Sequence, residues 1–140
     1  PDNRRPIDFE VRKKLLAAMP RATPESVLAD MELGAPKLWL IWKALNLRKA
    51  RPELFLESYR RLRVDGPDSE HVVAFARGGL VGVVPRLNAH GESKQRTATV
   101  HLPEGRYRSA LVPDSVYERS LVPTSELWAR FPVALLVKES

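Results

Sequence analysis

Apolar positions recur at helical spacing through the first fifty residues, and beyond Pro52 they recur every second residue. Asp8 stands at an N-cap ahead of a stripe of Val11, Leu15, Leu16 and Met19 that ends before Pro20. Thr23-Pro24 opens a second helix, with threonine as cap and proline at the first helical position, running over Glu25 to Leu33 and stopping near Gly34. Residues 36–50 form the strongest helix: Leu38, Ile41, Trp42 and Leu45 share one face, and Trp39, Leu40, Ala44 and Leu47 spread apolar surface over most of the remainder. Burying a large side chain is worth roughly 1.5–3 kcal/mol. A helix this apolar is therefore expected to be covered on several sides, by a further partner as well as by one neighbouring sheet.

After Pro52 the runs are short, β-branched and aromatic, and turn signals separate them. Tyr59 to Val64 predicts one strand. Val72 to Arg77 and Leu80 to Leu87 flank Gly78-Gly79, a two-residue loop suited to a primed turn, and so predict a hairpin. Thr97 to Leu102 alternates, with Ala98, Val100 and Leu102 inward and Thr97, Thr99 and His101 outward. Pro103-Glu104-Gly105 then turns into Arg106 to Leu111, a second predicted hairpin. Residues 113–120 are poorly patterned, Ser125 to Phe131 predicts a helical turn, and Val133 to Val137 closes as an apolar strand. Asn88 to Arg96, the most polar stretch, is expected to be a mobile loop. The pattern predicts an α+β chain: a helical region over residues 1–56, then an antiparallel β-sandwich of six or seven strands over residues 57–140.

A length of 140 residues suits one ordinary domain, or a helical piece joined to a small sheet domain. The sequence is 44% apolar and 29% charged, with no apolar run long enough to span a bilayer, so no membrane partner is expected. It contains no cysteine, which removes disulfides, thiolate catalysis and cysteine-ligated metals, and fits a reducing, cytoplasmic setting. The net charge of +6 invites a nucleic-acid reading, yet residues 1–65 hold 14 Lys and Arg against 9 acids and the remainder hold 9 against 8. The excess sits with the helices, no stripe interleaves bases with aromatics, and no nucleic-acid partner is expected.

The candidate chemistry is concentrated at the start of the chain. Asp2, Asn3, Arg4 and Arg5 gather four polar side chains against Pro6, an arrangement that costs free energy unless something nearby pairs with it. One loop cannot complete a site, so the chain reads as a C-terminal fragment of a larger protein. His71, His90 and His101 lack ligand spacing, and no metal or cofactor is expected. Trp39, Trp42 and Trp128 could stack on sugars, but their apolar neighbours favour core packing. Gly78-Gly79-Leu80-Val81-Gly82 lies between strands rather than before a helix, so it is a turn and not a phosphate cradle. Arg60, Arg61 and Arg63 suit a strand edge or a solvent face.

Several segments together carry a family resemblance. Leu38 to Phe55, with its Ala-Leu-Asn-Leu-Arg-Lys-Ala-Arg-Pro-Glu-Leu-Phe ending, resembles the last barrel helix of the α-amylase superfamily. Glu70 to Arg77, Leu102 to Tyr107 and the closing Leu127 to Leu136 resemble strands of the C-terminal β domain that follows it. With Asp2 to Phe9, they make the chain similar to the maltooligosyl trehalose synthase family within that superfamily.

The resemblance implies that residues 1–56 are the last loop and helices of a (β/α)₈ barrel, and that residues 57–140 are the appended β domain. It implies a parent enzyme that converts the reducing-end α-1,4 linkage of a maltooligosaccharide to an α,α-1,1 linkage by intramolecular transglucosylation. An aspartate nucleophile and a glutamate acid would reside on earlier barrel strands. No segment here matches their motifs, so the chain is expected to be inert alone and mainly structural, with the upstream catalytic domain as its partner. The same resemblance places Asp2, Asn3, Arg4 and Arg5 near substrate, at the C-terminal face of the barrel. In related members the loop reads Asp-Asn-x-Arg-Thr-Pro; here Arg4 stands at the third position and the threonine is missing. These residues either contact the sugar or brace the loop through an Asp2–arginine pair. The rival readings are a non-catalytic glucan- or polyanion-binding β module and part of a related hydrolase.

Overall fold

The computed structural model describes residues 8–86 and 97–139. Three helices come first: α1 (Phe9–Ala18), α2 (Pro24–Ala29) and α3 (Ala35–Ala50). Asp8 caps α1 by accepting from the Val11 amide at 3.0 Å. Thr23 forms a reciprocal capping box with Ser26: its hydroxyl accepts from the Ser26 amide at 3.2 Å, while its own amide donates to Ser26 Oγ at 2.9 Å. The second helix is shorter than the pattern implies. It stops at Asp30, and Met31–Leu33 form a 3₁₀ turn that closes on Gly34, whose φ of 76° a side chain would strain.

Nine strands follow among the described residues. β1 (Tyr59–Arg61), β3 (Val72–Arg77), β4 (Leu80–Pro85), β9 (Ala134–Lys138), β6 (Tyr107–Ser109) and β7 (Val116–Tyr117) form one antiparallel sheet in the order β1-β3-β4-β9-β6-β7. β2 (Val64–Asp65), β5 (Thr99–His101) and β8 (Leu121–Pro123) form the other in the order β2-β5-β8. A one-turn helix, α4 (Thr124–Leu127), overlaps the helical turn expected over Ser125 to Phe131 but starts one residue earlier and stops at Leu127.

The two sheets face each other across one core. Val72, Ala74, Ala76, Val81, Val83, Ala134, Leu136 and Tyr107 of the large sheet meet Val100 and Val122 of the small one, with Leu62, Ala98 and Leu102 between. The opposite face of the large sheet carries the helices through a second cluster, in which Met19, Val27, Ala35 and Trp39 pack on Leu111, Val112 and Phe131, with Val133 and Leu135 beside them. The result is three layers: helices, six strands and three strands.

Two expectations of strand pairing need correction. Tyr59 to Val64 is not one strand; the chain crosses from one sheet to the other at Leu62, whose buried side chain fills the space between them. The Leu62 amide still donates to Ala74 O at 2.9 Å in the large sheet, and Arg63 O accepts from the His101 amide at 2.9 Å in the small one. Residues 97–102 and 106–111 are not a hairpin either. β5 pairs with β2 and β8, β6 pairs with β7 and β9, and Pro103 to Gly105 carries the chain between sheets. Alternation specifies the buried face of a strand, and Ala98, Val100 and Leu102 are indeed buried, but it does not name the neighbour. The cover expected for α3 is present on one side among the described residues, at Trp39, which is 1% exposed, whereas Ile41 is 45% and Leu45 58% exposed.

The Gly78-Gly79 hairpin is present, with Arg77 opposite Leu80 and only Gly78 at positive φ, the pattern of a type II′ turn. The loop expected over Asn88 to Arg96 lies outside the described residues. No helix among the described residues is long and apolar enough to cross a membrane.

Candidate functional site

Asp2, Asn3, Arg4 and Arg5, the residues expected to touch substrate, lie outside the described residues, as does His90. The remaining candidates can be placed. Trp39 is a core residue, edge-on to Phe131. Trp128 packs against the core between the sheets and donates from Nε1 to Val83 O at 3.2 Å. Trp42 is half-buried, with the Lys43 ammonium 5.8 Å from its ring. His71 and His101 lie on different elements, and no group of three or more His, Asp or Glu among the described residues could hold a metal ion.

Charged side chains gather at two places. On the outer face of the small sheet, Asp65 takes the Arg63 guanidinium at 2.9 Å on one oxygen and the His101 ring at 2.7 Å on the other. The Arg63 hydrogen bond first, and His101 second, hold the Asp65 carboxyl below its ordinary value. At the far end of β6, Arg108 and Arg106 donate to the two oxygens of Glu139 at 2.6 and 2.5 Å, and Arg106 also pairs with Glu118. Arg108 first, then Arg106, lower the Glu139 carboxyl in the same way. Arg130 does so for Glu25, tying α2 to the segment before β9 at 2.8 Å. In both clusters cation and anion answer each other, so these groups brace neighbouring strands.

The third feature lies at an open sheet edge. β1 is the edge strand of the large sheet, and all three of its residues are exposed. Register sets Tyr59 opposite Arg77 and Arg61 opposite Phe75, so the four side chains share one face. Tyr59 and Phe75 stack with centroids 4.9 Å apart and planes at 28°. Phe75 can lie there because its cross-strand partner is Gly82; a Cβ at that glycine would collide with the ring. Arg77 Nε donates to Glu57 O at 2.8 Å and fixes the approach to β1. A cleft of about 590 Å³ at this sheet edge is lined by Leu56, Glu57, Ser58, Tyr59, Arg60, Ala76 and Gly78; Arg60 and Ala76 belong to the face opposite the Tyr59 and Phe75 rings.

Sequence reasoning took Tyr59 as a strand residue and looked to the tryptophans for stacking surfaces. Tyr59 and Phe75 are sixteen positions apart, and only the β1–β3 register joins them. The one local signal was Gly82 inside an otherwise β-branched run.

No family model matches the chain. Two proteins of Mycobacterium tuberculosis, from strains CDC 1551 / Oshkosh and H37Rv, each carry a provisional maltooligosyl trehalose synthase name. Each is 34% identical to the chain over 143 aligned residues, covering all of this chain and 17% of the relative. The solved structure of maltooligosyltrehalose synthase from Arthrobacter ramosus superposes with a TM-score of 0.75 at 32% identity, over 99% of this chain and 18% of that one. A point mutant of the same enzyme superposes equally well. The chain thus spans under a fifth of the length of the relatives it matches. Its relatives, in sequence and in fold alike, are maltooligosyl trehalose synthases, as the segments quoted above implied.

Proposed function

We propose that the chain is the C-terminal part of a maltooligosyl trehalose synthase, an isomerase that moves the reducing-end glucose of a maltooligosaccharide from an α-1,4 to an α,α-1,1 linkage. In such an enzyme the nucleophilic aspartate and the proton-donating glutamate lie on barrel strands upstream. The released glucose turns over in its subsite and returns through its own anomeric hydroxyl. Trehalose biosynthesis from glucan, in the cytoplasm, is the setting. The observation that carries this reading is similarity along the whole chain, at 32–34% identity and a TM-score of 0.75, to proteins of that name.

Within the enzyme the share of this chain is structural. Residues 1–56 close the barrel and present Asp2, Asn3, Arg4 and Arg5 to the sugar, and residues 57–140 buttress its flank. The exposed Ile41 and Leu45 of α3 suit contact with upstream helices, since apolar side chains of this size gain from cover. Incubating the full-length enzyme with maltopentaose tests the reading: reducing ends should disappear while total glucose is unchanged. A rise in reducing ends would mean hydrolysis and would overturn it.

A further inference from the structure

We draw no further inference here: the strongest candidate, the groove of about 410 Å³ where Leu47 and Arg51 at the end of α3 meet Arg108 of β6 and Val137 of β9, has its arginines already paired with Glu53 and Glu139, and nothing in the structure shows what covers it.

Discussion

Trp39 meets Phe131 edge-on, with ring centroids 5.1 Å apart and planes at 64°, and this contact joins the helical layer to the segment that leads into β9. The partners come from opposite ends of the chain, so the pair binds the helices to the sheet. Trp39→Ala should cost about 3–5 kcal/mol, the usual range for removing a buried aromatic. Leu45→Ala, four residues beyond Ile41 on the exposed side of the same helix, should change stability by less than about 0.5 kcal/mol. Urea unfolding of both variants checks the orientation of α3; equal losses would mean that the helix is turned the other way.

Ser109 is a buried hydroxyl at the end of β6 that accepts from the Val112 amide at 3.0 Å and the Leu111 amide at 3.3 Å. Ser109→Ala leaves both buried donors short of an acceptor and should destabilise by about 1–3 kcal/mol. A shift of the urea midpoint at constant slope is the expected reading.

Phe75 over Gly82 gives a test by coupling. Gly82→Ala alone forces the ring aside and should cost about 1–3 kcal/mol. Combined with Phe75→Ala the glycine substitution should cost less than it does alone, because the obstruction is gone. Strict additivity in a double-mutant cycle would contradict the ring placement.

Acid should destabilise the fold through Asp65, Glu139 and Glu25. Each carboxyl is held below its ordinary value by arginine, so its ionised form is favoured in the folded state. That contribution is present above the unfolded carboxylate range near pH ~4 and is lost as pH falls through the folded value. Glu25 is exposed and Asp65 and Glu139 are only half-buried, so the effect should be modest and weaker at high salt. Thermal midpoints from pH 7 to 3 should fall for the parent chain and fall less for Glu139→Gln.

Local signals were legible wherever the physics is local. Asp8, Thr23 and Gly34 marked helix ends because capping and positive φ are decided within four residues, and Gly78-Gly79 marked its hairpin for the same reason. The alternation at Ala98, Val100 and Leu102 named the buried face of β5 but not β2 and β8 as neighbours, since pairing depends on distant chain. Likewise nothing around Leu62 announced a change of sheet, and β7 and β8, only two and three residues long, carry too little periodicity to read. The Tyr59 platform was hidden because exposure is a property of the assembled sheet. The resemblance to maltooligosyl trehalose synthases, by contrast, lay in segments of sequence and survived the errors of pairing.

The most direct test of the account is the fate of an isotopic label. Full-length enzyme given maltopentaose ¹³C-labelled in its reducing-end glucose, in an excess of unlabelled free glucose, should yield a 1,1-linked product that keeps the label. Labelled glucose released into solution, or unlabelled glucose taken up at the new linkage, would contradict intramolecular transfer.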